Sequence, residues 1–249
     1  MLPPDAERAR VLLAAARAHR PLPEGPWGHL LVVDVPRQRL VLYDRAGAAL
    51  AEYVVSTASA GIGGAAGSNR TPPGLHRIHA CLGLGQPRGA VFVSRAPTGE
   101  VWRGEERDDD LILSRVLTLE GLEDGVNRGP GCDSLARYVY LHGTNHEAAL
   151  GEPASHGCVR LANDDVIELA GRVAVGDPVV ILPEVPMPDW RTGRFHYAGL
   201  GGSGMSALAQ FEAMRGGRAT GSDRAFDRGE RPEARTRLKR LGIGVVPQD

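Results

Sequence analysis

Residues 138–144 are Tyr-Val-Tyr-Leu-His-Gly-Thr, and residues 155–160 are Ser-His-Gly-Cys-Val-Arg. The first stretch is rich in residues that favour β-strands, and it predicts that His142 lies near a strand end. The second is short and turn-prone, with a glycine directly before a cysteine. A cysteine becomes a nucleophile when its proton is removed, and a nearby imidazole can lower a thiol pKa well below its ordinary value of about 8.5. The two stretches therefore predict that His142 activates Cys158.

Gly157 has its own part in this hypothesis. A residue without a side chain lets the backbone approach a substrate carbonyl and direct N–H groups at the oxyanion that forms there. We expect the N–H groups of Gly157 and Cys158 to bind that oxyanion. We also expect the Ser155 hydroxyl to support the turn by hydrogen bonding.

The same residues resemble the signature of the YkuD-type L,D-transpeptidases, a histidine followed later by Ser/Thr-His-Gly-Cys-hydrophobic-Asn/Arg. Cys158 lies 16 residues after His142, which suits that pattern. Thr71-Pro72-Pro73-Gly74 resembles the Thr-Pro-x-Gly segment of these enzymes. The resemblance covers about residues 27–182, and it implies a mainly β fold, a sandwich or capsule with short helices.

The resemblance implies cysteine-dependent acyl transfer at the diaminopimelyl–D-alanine bond of peptidoglycan stem peptides or muropeptides. In this interpretation His142 takes the thiol proton and later protonates the leaving D-alanine amine. The backbone of Gly143 orients the His142 ring, and His156 either contacts substrate or only shapes the turn. The implied catalytic residues are Cys158, His142, Gly157, Gly143 and His156.

Three further residues are candidates for substrate binding: Ser155, Arg160 and Arg115. A guanidinium suits the bidentate recognition of a carboxylate, so Arg160 could bind a substrate carboxylate. Alternatively, it pairs with a local acid such as Asp164. Arg115 and Arg137 are either carboxylate ligands or solvated and structural charges. The acidic run 105–110 is expected to be a solvated loop.

The fate of the thioester distinguishes two enzymes. Water gives an L,D-carboxypeptidase, which we favour, acting in cytoplasmic peptidoglycan recycling. An amine acceptor gives an L,D-transpeptidase that forms cross-links. A hypothesis of another class is a non-catalytic module that binds muropeptide or UDP-sugar.

Composition excludes several other functions. The chain has 249 residues, a net charge of −1 and 42% hydrophobic residues, which predicts a packed core and no nucleic-acid partner. Its three cysteines are Cys81, Cys132 and Cys158. They form neither a disulfide framework nor a zinc motif, so no metal and no cofactor is predicted.

The first 26 residues predict a short amphipathic helix and a lead-in segment. The apolar core at 11–16 is shorter than that of a secretory signal and follows acidic residues. No apolar run is long enough to span a bilayer. We therefore expect a cytoplasmic protein; a periplasmic or cell-wall location is the alternative if an export signal is missing from this chain.

The hydrophobic pattern predicts a β-rich domain at 27–182, with one helix from Asp164 to Val173. A proline-rich linker is predicted at 183–193 and a further segment at 194–249. The strands of the β-rich domain are predicted at 28–35, 39–43, 50–56, 75–80, 90–94, 111–119, 137–142 and 178–182.

The segment at 194–249 has βαβαβ order with a glycine-rich turn after its first strand. Such a turn suits phosphate binding at a helix N-terminus. The turn and a later Gly-Ser-Asp resemble the N-terminal, UDP-binding domain of Mur ligases that act on UDP-N-acetylmuramate, here an incomplete Rossmann-like segment. It either binds UDP-muramyl species or is a non-catalytic remnant. The candidate nucleotide-binding residues are Gly199, Gly201, Gly202, Ser203, Gly204 and Asp223.

Overall fold

The computed structural model describes residues 5–184, 194–214 and 218–248, so most of the predicted linker at 183–193 lies outside the described residues. The chain forms two compact units, Met1–Val185 and Pro186–Asp249. The domain boundaries predicted from the sequence, at 26/27, 182/183 and 193/194, stay a prediction. No helix within the described ranges is both long and apolar enough to cross a bilayer.

The first unit is a β-structure with two α-helices. Its helices are α1 (Ala6–His19) and α2 (Asn163–Arg172). Its strands are β1 (His29–Asp34), β2 (Arg39–Asp44), β3 (Ala49–Ser56), β4 (Gly74–Leu82), β5 (Ala90–Val93), β6 (Ala96–Val101), β7 (Ile112–Gly121), β8 (Tyr140–Gly143), β9 (Val159–Leu161) and β10 (Pro178–Leu182).

The ten strands form one sheet in the order β4-β10-β1-β2-β3-β9-β8-β7-β5-β6, and β4 also pairs with β7. This extra pairing closes eight strands into a barrel and leaves β5 and β6 as a hairpin on β7. Neighbouring strands are antiparallel except β1–β10 and β8–β9. The mainly β fold is confirmed.

Strand β1 shows why its sequence is an unbroken apolar run. Leu31 and Val33 point into the barrel core, which α2 shares through Val166 and Leu169. Leu30 and Val32 point outward and are covered by Leu12 and Ala16 of α1. A strand buried on both faces carries apolar residues at every position instead of alternating.

The predicted strand at 137–142 is wrong at its start, because β8 begins only at Tyr140. Tyr138 has a φ of 58°, a left-handed conformation that interrupts an extended strand. Two strands of the first unit, β6 and β9, were not predicted. Strand β6 is largely exposed and contains Pro97 and Gly99, and β9 has only three residues.

The second unit is a small α/β structure with a parallel sheet in the order β11-β12-β13. The glycine-rich turn connects β11 to α3, as predicted, and α4 is an additional short helix. Leu200, Ala209 and Phe226 are among its buried core residues. Its elements are β11 (Arg194–Ala198), α3 (Ser203–Met214), β12 (Arg218–Ser222), α4 (Arg224–Asp227), α5 (Pro232–Arg240) and β13 (Gly244–Val245).

Candidate active site

The parallel strands β8 and β9 bring the two signature stretches together. His142 is the register partner of Arg160, and Gly143 is the partner of Leu161. Cys158 directly precedes β9, and its side chain packs against the apolar cluster that includes Phe92 and Tyr140. Paired residues on neighbouring strands project to the same face, so His142 and Arg160 share one face of the sheet. The site therefore depends on a pairing between segments that are far apart in the chain.

The His142 ring is buried, with only 2% of the residue exposed. Its Nδ1 lies 2.7 Å from the Gly143 carbonyl oxygen, which can only accept a hydrogen bond. Nδ1 therefore carries the proton, and Nε2 of the neutral ring is free to act as a base. Burial lowers the pKa of His142 to about 4, although the Gly143 bond and the Asp110 carboxylate act in the opposite direction.

Position 143 requires a glycine for a steric reason. A Cβ there would lie 2.5 Å from Asn163 Oδ1 and 2.7 Å from the Leu113 carbonyl oxygen. Asn163 is fully buried, and it accepts a hydrogen bond from Ser114 Oγ at 2.6 Å and donates one to the Thr144 carbonyl at 2.8 Å. This polar network fixes the backbone whose carbonyl holds the His142 ring.

The Cys158 thiol is partly buried, and its Sγ lies 3.4 Å from the Tyr138 carbonyl oxygen. Burial raises the pKa of Cys158 to about 11, with Asp110 adding to the rise and Arg160 and Arg137 opposing it. The expectation that the thiol pKa is lowered is wrong, because desolvation of the thiolate outweighs the positive charges nearby. The resting pair is thus a neutral thiol and a neutral imidazole, and the thiol proton must leave during attack.

The turn before Cys158 is closed by one hydroxyl. Ser155 Oγ donates to the Cys158 carbonyl at 2.6 Å and accepts from the Gly157 N–H at 3.2 Å. These are the turn-supporting hydrogen bonds expected of Ser155, and substrate binding by this residue stays a prediction. Gly157 has a φ of 133°, which a residue with a side chain rarely adopts. Since the Gly157 N–H is already bonded, the Cys158 N–H remains the candidate donor for an oxyanion.

Asp110 is the residue that the sequence did not place in the site. Its Oδ2 accepts a hydrogen bond from Arg160 and lies 3.2 Å from His156 Nδ1. Asp110 thus lies in the exposed loop expected at 105–110, and its carboxylate in addition pairs with Arg160. Arg160 pairs with this acid rather than with Asp164, which instead bonds Arg88 at 2.8 Å. An acid near the end of an acidic run carries no sequence signal for pairing with a strand about fifty residues later.

The other two candidate arginines, Arg115 and Arg137, donate hydrogen bonds to backbone carbonyl oxygens. Arg115 is buried and donates to the carbonyl oxygens of Gln86 and Ser114, at 2.9 Å and 2.6 Å. Arg137 donates to the Gly64 carbonyl at 2.9 Å and to the Arg70 carbonyl at 2.7 Å. The structural alternative fits both side chains, and substrate binding by Arg115 stays a prediction.

The second unit brings its candidate residues to one place. The N–H of Gly201 donates to Asp223 Oδ2 at 2.8 Å, and Asp223 also caps α4 through the Ala225 N–H. A Cβ at Gly201 would lie 2.9 Å from that carboxylate, so a larger residue there would have to displace the Asp223 side chain. A cavity of about 520 Å³ adjoins Gly201, Gly202 and Ser203, and Arg231 and Arg237 line its other side. Gly199 and Gly204 belong to the same turn and first helical residues.

No group of three or more metal-ligating side chains occurs among the residues that the structure describes. The residues that the structure brings together in the first unit are a thiol, an imidazole and an ion pair whose guanidinium is buried.

A buried imidazole on one strand of a closed β-barrel, and a thiol directly before the strand paired with it, are typical of a cysteine-dependent enzyme. The family model described as the L,D-transpeptidase catalytic domain, YkuD, matches residues 28–181. The chain therefore belongs to this family. A second model, described as the Mur ligase family, catalytic domain, matches residues 194–249. Both family resemblances seen in the sequence are confirmed, whereas the assignment of residues 194–249 to an N-terminal, UDP-binding domain stays a prediction.

Curated relatives match over part of their length. YkuD of Bacillus subtilis (strain 168), provisionally named an L,D-transpeptidase, is 49% identical over 77 residues, 28% of this chain and 47% of the relative. YbiS of Escherichia coli (strain K12), also provisionally named an L,D-transpeptidase, is 42% identical over 50 residues, 20% of this chain and 16% of the relative. The chain thus spans at most about half the length of these relatives.

Solved structures that match part of this chain include an L,D-transpeptidase from Mycobacterium smegmatis, with 18% identity and a TM-score of 0.40. That match covers 63% of this chain and 59% of the other. L,D-transpeptidase 3 from Mycobacterium tuberculosis, solved with a faropenem-derived adduct, has 16% identity and a TM-score of 0.40, covering 62% and 60%.

Proposed function

We propose that the first unit catalyses acyl transfer at the L,D bond between diaminopimelate and D-alanine in peptidoglycan stem peptides. One observation carries this proposal: the His142 Nδ1 hydrogen bond to the Gly143 carbonyl leaves Nε2 basic on the strand paired with the Cys158 segment. Family membership supports the same chemistry.

In the first half-reaction Cys158 Sγ attacks the carbonyl carbon on the L-centre of diaminopimelate. His142 Nε2 takes the thiol proton as the C–S bond forms, and the carbonyl oxygen becomes an oxyanion near the Cys158 N–H. The C–N bond then breaks, His142 returns the proton to the leaving D-alanine amine, and a thioester remains. This half-reaction starts from a neutral thiol, which gives up its proton, and a neutral imidazole, which accepts it.

Hydrolysis of the thioester is the outcome we favour, which makes the protein an L,D-carboxypeptidase. The match of residues 194–249 to the Mur ligases supports this preference, since that family handles muramyl precursors in the cytoplasm. We accordingly propose a cytoplasmic role in peptidoglycan recycling. Cross-linking by an L,D-transpeptidase, and a periplasmic or cell-wall location, is the alternative.

Mass spectrometry of a free tetrapeptide incubated with the full chain tests both outcomes. Loss of one D-alanine supports hydrolysis, whereas a peptide dimer formed in the presence of a second stem peptide supports cross-linking. Cys158→Ala should abolish both products. Cys81→Ala is the matched control, because Cys81 packs against the barrel core and not against the cluster that contacts Cys158, and this variant should retain activity. Activity in Cys158→Ala would refute the assignment.

A second candidate function, UDP-muramyl binding, is favoured by the cavity beside Gly201–Ser203. Backbone N–H groups at a helix start and two arginines suit a diphosphate. Calorimetric titration with UDP-N-acetylmuramate should detect binding that weakens in Arg237→Gln. Uridine, which lacks phosphates, is the control ligand. Equal heats for both ligands and both proteins would leave the remnant interpretation in place. If muropeptide also binds without turnover, the non-catalytic module is supported.

A further inference from the structure

We propose that Asp110 is a positioning residue of the cysteine site, which neutralises the buried Arg160 guanidinium and so allows His142 to become positively charged during catalysis. The proposal rests on the acyl-transfer function proposed above. It assigns a part in the reaction to a residue outside both signature stretches.

Arg160 places a full positive charge beside the base. Its side chain is 4% exposed, and it is the register partner of His142. Its Nε is buried without a hydrogen-bond partner among the described residues. Asp110, whose side chain is 29% exposed, is the acid that pairs with this guanidinium. A buried charge that loses its partner is costly, and it repels any like charge that forms nearby.

Asp110 is held in place by an amide side chain. Asn145 Nδ2 donates to the Asp109 carbonyl at 2.8 Å, and Asn145 Oδ1 accepts from the Leu111 N–H at 2.9 Å. Asn145 thus binds the backbone on both sides of Asp110. It follows the His142–Gly143–Thr144 segment directly, so the base and the acid are fixed to the same stretch of chain. Such prearranged charges stabilise a reaction without reorganising.

The charged residues around His142 and Cys158 shift the pKa values of both groups. Asp110 raises and Arg160 lowers the pKa values of both His142 and Cys158. Arg137, from the segment before β8, also lowers the pKa of Cys158. His156 faces Asp110 from the turn, and its ring is 70% exposed. When His142 takes the thiol proton, Asp110 opposes the repulsion from Arg160.

Removing the carboxylate should therefore have two opposite effects. In Asp110→Asn the uncompensated Arg160 stabilises the Cys158 thiolate, so alkylation by uncharged iodoacetamide should become faster at pH 8. We expect the alkylation rate to increase roughly tenfold, which corresponds to a fall of about one unit in the pKa of the Cys158 thiol. Peptide turnover should instead fall at least about tenfold, because the imidazolium is disfavoured. A structural loss of the site would also expose the thiol and speed its alkylation, so the double variant with Arg160→Gln is needed to separate the two causes.

Arg160→Gln and the double variant complete the experiment. Arg160→Gln should slow alkylation, and Asp110→Asn combined with Arg160→Gln should return the alkylation rate towards that of the unmodified protein. Asp109→Asn is the matched control: it removes the same charge one residue away, where Asp109 pairs with Arg107, and should change neither reaction. The double variant lacks the unpaired charge, so the comparison with Arg160→Gln remains decisive if Asp110→Asn alone does not fold.

The alkylation arm needs no peptide substrate, so it separates this proposal from the proposed function. Slower turnover in Asp110→Asn, together with faster alkylation that is reversed when Arg160→Gln is added, supports the positioning role. Alkylation rates in Asp110→Asn equal to those of Asp109→Asn, or a double variant no different from Arg160→Gln, would overturn it. If neither the parent protein nor any variant turns over peptide, the proposed acyl-transfer function is wrong. The alkylation rates then still test whether Asp110 and Arg160 act as a charge pair on Cys158.

Discussion

His142 Nδ1 lies 2.7 Å from the carbonyl oxygen of Gly143, the next residue in the chain. In many catalytic histidines a carboxylate bonds this nitrogen, but here a backbone dipole sets the tautomer. A carbonyl orients the ring without placing a full negative charge on it. The negative charge of the site comes instead from Asp110, which acts through Arg160.

Gly143→Ala should destabilise the protein and reduce turnover. The new Cβ would lie 2.5 Å from Asn163 Oδ1 and 2.7 Å from a backbone carbonyl, so the polar network beneath the base must shift. We expect a loss of about 1–3 kcal/mol in the free energy of unfolding, measured in urea.

Gly171→Ala is the control for this substitution. Gly171 lies in α2, and a Cβ there meets no atom within 4 Å. Alanine in a helix should stabilise by about 0.5–1 kcal/mol. Equal unfolding free energies for the two alanine variants would contradict the steric argument at position 143.

The pH dependence of Cys158 alkylation should be shifted to high pH. Burial raises the pKa of this thiol to about 11, so the iodoacetamide rate should keep increasing well above pH 8.5. Labelling of Cys158→Ala, followed by mass spectrometry, gives the contribution of Cys81 and Cys132. A midpoint at or below about 8.5 would mean that the thiol is activated before substrate binds.

The free energy of unfolding should fall as pH decreases from about 6.5 to about 4. Burial lowers the pKa of both His76 and His142 to about 4, whereas a histidine in the unfolded chain titrates near 6.5. Between these values the unfolded chain binds protons that the folded protein does not, so stability rises with pH. Each ring contributes up to about 1.4 kcal/mol per pH unit.

His76→Gln tests that dependence away from the catalytic pair. The variant should have a shallower pH slope than the parent protein in urea unfolding at pH 7, 6 and 5. His79→Gln, on the exposed side of β4, is its control. Identical slopes for the parent and His76→Gln would exclude the buried ring as a source of acid sensitivity.

Ser155→Ala should lower turnover by roughly tenfold to a hundredfold. The substitution removes the hydroxyl that bonds both the Cys158 carbonyl and the Gly157 N–H, interactions worth about 1–3 kcal/mol when buried partners are left unpaired. Ser155→Thr keeps the hydroxyl and should retain most activity. Steady-state kinetics with tetrapeptide compare the two; an equal loss in both variants would assign the effect to altered packing of the turn.

The regular elements were predictable from local pattern to different degrees. Helix α2 was predicted at 164–173 and lies at Asn163–Arg172, because its apolar spacing and first-turn acids are strong local signals. Strand β8 was predicted to begin three residues too early, since nothing in the sequence indicates that Tyr138 adopts a left-handed conformation. Strand β9 is too short to have a pattern of its own, and only its pairing with β3 and β8 defines it.

The candidate site was likewise predictable only in part. The residue types at His142, Gly157 and Cys158 indicated a nucleophile and a base, because few other functions need that combination at that spacing. The protonation states could not be predicted, since desolvation depends on how the barrel core surrounds both side chains.

The sequence by itself determined the chemistry available to this protein: a thiol, an imidazole, the glycines that allow close approach, and a chain rich enough in strand-forming residues to build a barrel. Only the tertiary structure decided the electrostatics, by pairing β8 with β9 and by bringing Asp110 to Arg160. Residue identity is a local property, whereas burial and ion pairing depend on segments about fifty residues apart that meet only when the sheet closes.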